Sequence, residues 1–139
     1  MATWEDVEAI ALSLPEVAEG TSYGERDWKV RKKTFIWERP LRRAEIEQLG
    51  GFEPEGAAPT GEILGLRVAD EEAKQALLSA EPDIYFATSH FDGFPAVMVR
   101  LERIPRDELE QVVTEAWLAR APKRVAAAHL GTGPSTTGV

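Results

Sequence analysis

The sequence contains no cysteine and only two histidines among its 139 residues. The lack of cysteine excludes disulfide bonds, thiolate metal sites and thiol nucleophiles, and it is typical of proteins in a reducing compartment. No apolar run approaches the roughly 20 residues that a membrane-spanning helix needs. The first residues are acidic, at Glu5, Asp6 and Glu8, where a signal peptide would be basic. We therefore expect a cytoplasmic protein without membrane segments.

Catalytic patterns are also missing from the sequence. It has no glycine-rich phosphate loop, no histidine paired with a nucleophile and no pair of acids at usable spacing. His90 and Asp92 lie two residues apart and His129 lies far along the chain, which is a weak basis for a metal site. We predict a protein that binds rather than catalyses, with no cofactor and no metal.

The length and composition are those of one ordinary globular domain. The chain is 43% hydrophobic and 29% charged. A chain of this size buries roughly two thirds of the surface that it would expose when unfolded, so one core is expected. The last residues are rich in Gly, Pro, Ser and Thr. We predict a single domain over residues 1–130 and a flexible C-terminal tail over residues 131–139.

Periodicity places helices and hairpins along that domain. Apolar residues at helical spacing predict a first helix, which begins at a capping pattern on Thr3 and ends at Pro15. The turn-rich stretch from Gly20 to Gly24 is interpreted as a loop. The predicted order is helix, two strands, short helix, strand, helix, two strands and two helices. This order favours an α+β fold, a two-layer sandwich with a mainly antiparallel five-stranded sheet and helices on one face.

Two local features refine the predicted sheet. A tight turn at Arg31 and Lys32 joins the first two strands, and its register would pair Trp28 with Phe35 on the core side. Gly65 lies within the third predicted strand, on the face opposite its apolar residues. A glycine in that position indicates a bulge or a close approach of another group to the backbone.

Charge is segregated along the sequence. The net charge is −8, yet residues 26–43 hold eight of the 16 basic side chains and only two acids. This segment therefore carries +6 and the rest of the chain carries −14. Such an acidic protein is not attracted to polyanions as a whole, so any contact with one depends on the basic segment.

Four segments of the sequence, in this order, resemble the MmcQ/YjbR family of small bacterial proteins: WEDVEAIALSLPEVAEGTSYG, WKVRKKTFIWERP, EPDIYFATSHFDGFPAVMVRL and EAWLARAPKRVAAAHL. The resemblance spans Thr3 to about Leu130. It implies a two-layer fold with an antiparallel sheet, similar to type III secretion chaperones. It also implies DNA binding through a double wing of two hairpins.

On this chain the first wing of that family would carry Arg31, Lys32 and Lys33 at its tip, and the second would turn at Ser89 to Gly93. Members of the family often have glycine at the position of Lys32. If that position needs a positive φ, Lys32 is a strained choice whose gain is one more charge at the tip. The second wing carries no lysine or arginine at its tip.

These observations give a set of candidate nucleic-acid-binding residues. The cations of the hairpin segment would contact phosphates, and the cations around Pro122 would form an anion site at a helix N-terminus. The alternative is a solvated strand face with its aromatics in the core, together with a solvated helix face. The candidates are Lys29, Arg31, Lys32, Lys33, Arg39, Arg42, Arg43, Lys123 and Arg124.

Three functions from different classes remain open. The first, which we favour, is weak and sequence-tolerant DNA binding by the basic hairpin. The second is a protein-interaction module that uses the face or edge of the sheet without nucleic acid, and the third is an enzyme or small-ligand binder. We expect a monomer or a weak dimer. The first function requires hairpin cations that share one accessible face and are free of carboxylate neighbours.

Overall fold

The fold is a six-stranded antiparallel sheet with helices packed on it. The computed structural model describes residues 2–131. Its strands are β1 Val17–Ser22, β2 Glu25–Val30, β3 Lys33–Glu38, β4 Ile63–Arg67, β5 Tyr85–Phe86 and β6 Ala96–Arg100. They lie side by side in the order β1-β2-β3-β4-β6-β5. The predicted α+β class with an antiparallel sheet is confirmed.

Helices connect and cover these strands. Within residues 2–131 they are α1 Trp4–Ser13, α2 Arg43–Gln48, α3 Glu71–Ala80, α4 Arg106–Arg120 and α5 Lys123–Gly131. The predicted cap of α1 is present, because the Thr3 hydroxyl accepts a hydrogen bond from the backbone N–H of Asp6, and Asp70 caps α3 in the same way. No helix in this part of the chain is long and apolar enough to span a bilayer. Apart from Gly131, which ends α5, the predicted tail lies outside the described residues.

The sheet has one strand more than the five predicted. β1 lies where the sequence pattern favours a loop, and it pairs with β2 at one edge of the sheet. Its side chains are exposed or half-buried along its whole length. With neither face deeply buried, β1 has no apolar alternation that would reveal a strand, while its glycine and hydroxyl residues are typical of loops.

Both ends of β2 turn through two residues with positive φ. Tyr23 and Gly24 have φ values of 54° and 83°, and Arg31 and Lys32 have values of 49° and 73°. Positive φ at both central residues is typical of the type I′ turn, whose twist matches that of the paired strands. The predicted turn at Arg31 and Lys32 is therefore confirmed, and Lys32 does occupy a conformation that favours glycine.

A bulge changes the register predicted for β2 and β3. Trp28 pairs with Ile36 rather than with Phe35, because the register shifts between residues 28 and 29. Phe35 and Ile36 are both fully buried in the helix-covered core. Since a bulge inserts one residue and re-aims those that follow, Trp37 turns to the opposite face of the sheet.

The main core lies between the sheet and the layer formed by α1 and α4. Trp28 and Trp117 are fully buried there, and the indole N–H of Trp117 donates to the carbonyl of Pro15 at 3.0 Å. Each large apolar side chain buried in this way contributes roughly 1.5–3 kcal/mol. The opposite face carries a smaller cluster, which consists of Ile63, Phe86, Phe91, Ala96 and Met98. That cluster covers only part of the face.

The second predicted hairpin is shorter than the sequence pattern indicates. β5 has two residues, and residues 87–95 form a long connection to β6 that contains a single 3-10 turn. The ammonium group of Lys74 is buried and donates to the carbonyls of Phe91 (2.5 Å) and Phe94 (2.9 Å). These bonds draw the connection back onto the sheet, so it does not project as a wing.

Candidate binding cleft

An open cleft lies on the face of the sheet that Trp37 shares with the smaller cluster. Its volume is about 960 Å³, within the usual range of ligand sites. Tyr23 and Lys32, from the two turns of β2, both line it. The connection after β5 and the segment before α2 form the rest of its wall, through Phe94 and Arg42.

The floor of the cleft is the indole ring of Trp37, which lies on the backbone of β4. A Cβ atom at Gly65 would come within 2.2 Å of Cε2 of Trp37. No side chain fits in that space, so the glycine is required for the ring to lie flat against the strand. The close approach predicted at Gly65 is confirmed, and its partner is the ring that the bulge redirects.

Two further aromatic rings stand at the rim of the cleft. Tyr23 is fully exposed at the tip of the β1–β2 turn, and Phe94 is 38% exposed. Exposed rings at the edge of a concave site offer flat apolar faces to a planar ligand. The cleft therefore presents rings at its floor and its rim.

Six cations and three carboxylates line the cleft. The lining is thus positive although the protein as a whole carries −8. The cations are Arg26, Lys32, Arg39, Arg42, Arg67 and Arg120. Their pairing with acids differs between the two ends of the cleft.

At one end, the arginines are engaged by carboxylates. The Nε of Arg26 donates to Glu38 at 3.0 Å, and the guanidinium of Arg39 donates to Glu45 at 2.8 Å. Arg39 and Glu45 are both buried. Burial alone raises the pKa of Glu45, but hydrogen bonds from the Arg42 N–H, the Thr88 hydroxyl and Arg39 outweigh it and lower that pKa. Ion pairs between arginines and carboxylates therefore hold this end of the cleft together.

At the other end, the cations Arg67 and Arg120 meet without an acid. Neither forms an ion pair with any residue between 2 and 131. The guanidinium of Arg67 lies 4.8 Å from the centre of the Phe94 ring, and the Nε of Arg120 donates to the carbonyl of Thr34 at 3.3 Å. Burial, and then the charge of Arg120, lower the pKa of Arg67.

Three of the predicted binding residues are occupied by carboxylates. Lys29 pairs with Asp27 at 2.7 Å, Arg31 pairs with Glu16, and Arg39 is buried against Glu45. A cation whose charge is already matched, and whose side chain is held by its partner, gives up an interaction when it contacts a phosphate. These three residues are thus poorly placed to bind a polyanion.

The other six predicted residues are exposed cations. Lys32, Lys33, Arg42 and Arg43 form no ion pair with the described residues, and Lys32 and Arg42 line the cleft. Lys123 and Arg124 are exposed in the first turn of α5 and do not line the cleft. The structure thus brings Lys32 and Arg42 into one cleft with buried Arg39, and the other predicted residues do not line that cleft.

Sequence reasoning did not identify Arg67, Tyr23 or Phe94 as site residues. Arg67 has one signal in the sequence: it lies two positions after Gly65, so it shares the face on which the glycine indicates a close approach. Tyr23 has no such signal, because it lies in the turn after β1, where the sequence pattern favours a loop rather than a hairpin. Among the described residues, no group of three or more His, Asp or Glu side chains is placed to hold a metal ion.

Comparison with known proteins gives one family and one fold. The model of the YjbR family matches residues 12–119. Uncharacterized proteins of Mycobacterium bovis and Mycobacterium tuberculosis are 49% identical over 132 residues, covering 94% of this chain and 97% of each relative. A crystal structure of a Deinococcus radiodurans protein with the domain DUF419 has a TM-score of 0.64 at 18% identity, covering 94% of this chain and 89% of that one.

Proposed function

The chain belongs to the YjbR family, and on that premise we propose that it is a non-enzymatic binding module that holds a single strand of nucleic acid, weakly and with little sequence preference. The observation that carries this proposal is that exposed aromatic rings and unpaired cations share one cleft. A groove of this composition suits a flexible strand, because cations follow the phosphates while bases stack on rings.

The parts of the cleft have distinct roles in this proposal. Lys32 and Arg42 both line the cleft and contact the phosphates, to which they bring charge that no carboxylate of the described residues already matches. Tyr23 at the rim and Trp37 at the floor stack the bases. A duplex hides the faces of its bases, so the proposal favours a single strand over the duplex.

The cations of the β2–β3 turn keep part of the role predicted for a basic wing. Lys32 and Lys33 are exposed and unpaired among residues 2–131, whereas Lys29 and Arg31 in the same hairpin are held by acids. The hairpin thus supplies two free charges rather than four. We propose that so few free charges limit the protein to weak binding of the strand. We also propose that the protein is cytoplasmic and is a monomer or a weak dimer.

Fluorescence anisotropy with a labelled strand of about 12 nucleotides tests this proposal, since sites of this type cover about 4–16 nucleotides. The logarithm of the affinity should fall with the logarithm of salt concentration, with a slope of about −0.7 for each phosphate contacted. Tyr23→Ala should weaken binding by about tenfold, because stacking on one ring contributes roughly 1–3 kcal/mol. The ring is fully exposed, so its removal leaves the fold intact.

Matched double variants separate the cleft from general charge. Lys32→Ala with Arg42→Ala removes two cations that line the cleft, and Lys123→Ala with Arg124→Ala removes two exposed cations that do not. The first pair should weaken binding more than the second at equal ionic strength. Equal losses in the two double variants, or no binding of the labelled strand by the unmodified protein at about 50 mM salt, would show that the cleft is not a nucleic-acid site.

One observation favours a second candidate function, binding of a protein partner. β1 is an edge strand of six residues whose outer side pairs with no other strand of the described residues. Such an edge can accept a strand from another chain by main-chain hydrogen bonds. Light scattering and pull-down test this candidate, and Thr21→Pro would block the added strand. A strict monomer that recovers no partner would argue against it.

A further inference from the structure

The acid-free end of the cleft has the features of a specific anion site. Antiparallel pairing of Ile36 with Leu66 brings Arg67 beside the start of β3. Arg120 ends α4 and reaches the same place, where it donates to the carbonyl of Thr34. Two cations from elements far apart in the sequence thus meet at one end of the cleft, which Lys32 also lines.

Part of the hydrogen-bonding capacity of this end is unused within the described residues. The Nε of Arg67 is buried and has no hydrogen-bond partner there. Arg120 uses its Nε for Thr34, which leaves its terminal nitrogens. Buried polar groups in folded proteins are nearly always hydrogen-bonded, and two guanidinium groups side by side repel each other. An anion between them would satisfy the donors and remove the repulsion.

The fork of a guanidinium selects among anions. Each arginine can donate two parallel N–H groups to a pair of oxygens, as in carboxylate and phosphate recognition. Two arginines provide two positive charges, which match those of a phosphomonoester, a group with three terminal oxygens and up to two negative charges. The geometry therefore favours a terminal phosphate over the singly charged diester within a strand.

The neighbouring ring indicates what the phosphate is attached to. Trp37 lies on Gly65, and Arg67 is two residues further along the same face of β4. Two strand residues span about 7 Å, which is a distance that a sugar can bridge. A planar base stacked on Trp37 would thus direct a phosphate on its sugar toward Arg67.

We propose that the Arg67–Arg120 end of the cleft recognises the terminal phosphate of a nucleoside 5′-monophosphate, either free or at the 5′ end of a strand. This inference deepens the proposed function, because it assigns a polarity and an end preference to the strand in the same cleft. The inference also holds if the protein binds no strand, since a free mononucleotide offers the same base and phosphate.

Three ligands distinguish a free mononucleotide from the 5′ end of a strand, and they test this inference separately from the proposed function. Binding of a strand with a 5′-phosphate, the same strand with a 5′-hydroxyl, and adenosine 5′-monophosphate is measured by calorimetry at one salt concentration. The 5′-phosphate should bind about tenfold tighter than the 5′-hydroxyl, which corresponds to 1.4 kcal/mol. Equal affinity of the two strands overturns this inference and leaves the proposed function standing. If the mononucleotide binds and neither strand does, this inference stands and the proposed function is overturned. If none of the three ligands binds, both are overturned.

Variants connect the preference to the two arginines. Arg120→Met should abolish the preference for the 5′-phosphate, and Arg120→Lys, which keeps the charge but loses the fork, should reduce it. Arg43→Met is the matched control, because Arg43 is exposed, forms no ion pair with residues 2–131 and does not line the cleft. Thermal unfolding of each variant confirms that it is folded. A preference that survives Arg120→Met, or is lost equally in Arg43→Met, overturns the assignment.

Discussion

Lys32 shows how one residue can exchange stability for charge. Its φ of 73° lies in the left-handed region, which costs a residue with a side chain about 1–2 kcal/mol. Its side chain lines the cleft and forms no ion pair with the described residues. A glycine at this position would relieve the backbone but remove a cation from the proposed site.

We predict that Lys32→Gly raises the free energy of unfolding by about 0.5–1 kcal/mol, because relief of the positive φ exceeds the entropy that glycine adds to the unfolded chain. Urea unfolding at constant ionic strength measures the change. Lys33→Gly is the matched control: it removes the next cation from a strand position and should lower stability by about 0.5–1 kcal/mol. If Lys32→Gly is no more stable than Lys33→Gly, the positive φ carries no cost.

Single positions with special backbone requirements could be predicted from the sequence. Gly65 departs from the pattern of its strand, which indicates a close approach, and Lys32 stands where the family resemblance implies a glycine and hence a positive φ. The orientation of Trp37 could not be predicted in the same way. Strict alternation pairs Trp28 with Phe35, and one bulged residue reverses the face of everything after it.

At the scale of elements, the short helix α2 is joined to the sheet by one buried carboxylate. Glu45 accepts hydrogen bonds from Arg39 at the end of β3 and from Thr88 after β5. These bonds hold the pKa of Glu45 below its ordinary value of 4.5. As the pH falls, the unfolded chain therefore takes up this proton before the folded one does, and the stabilisation is present above about pH 4.5 and lost below it.

We predict that Glu45→Gln lowers the free energy of unfolding by about 1.5–3 kcal/mol at pH 7, since hydrogen bonds to a charged group are lost and Arg39 remains buried. The difference from the unmodified protein should narrow as the pH falls through the window below about 4.5. Urea unfolding at several pH values measures this. Glu47→Gln, an exposed position in the same helix, should follow the unmodified protein throughout. A difference that is constant with pH would contradict the assigned role.

Elements with a buried apolar face were predictable, and those held by particular side chains were not. Helix α4 buries a regular stripe of residues, and strand β6 is a short apolar run that is buried at every position, so both elements are visible in the sequence. β1 is nowhere fully buried, and the connection after β5 is held by particular side chains, among them the ammonium group of Lys74. A lysine that binds two carbonyls 17 and 20 residues away leaves no local pattern in the sequence.

At the scale of the whole molecule, the charge pattern of the sequence predicts the site only in part. Of the basic segment, Lys32 and Arg42 reach the cleft free of acids. Lys29 is paired with Asp27 of the same strand, and Arg31 is paired with Glu16, which precedes β1. Arg120, a residue from the far end of the chain, supplies charge that the segment lacks. The sequence therefore gives only the total charge of a segment. The ion pairs formed in the folded protein decide which of its cations are free to bind a ligand.

The remaining acids of the protein oppose the approach of any polyanion to the cleft. Their repulsion acts over the Debye length, which is about 30 Å at 0.01 M salt and about 10 Å at 0.1 M. Glu72 and Glu102 are exposed, do not line the cleft and form no ion pair with the described residues. Their replacement by glutamine thus changes the long-range field without touching the site.

We predict that Glu72→Gln with Glu102→Gln strengthens strand binding by about threefold near 0.01 M salt and has almost no effect near 0.3 M, where screening removes the field. The gain should appear in the association rate, because steering acts before contact. Stopped-flow anisotropy at both salt concentrations measures it. Lys32→Ala, which removes a contact, should instead weaken binding at both and raise the dissociation rate. A gain that persists undiminished at high salt would mean that the two glutamates act at the binding surface rather than through the field of the whole protein.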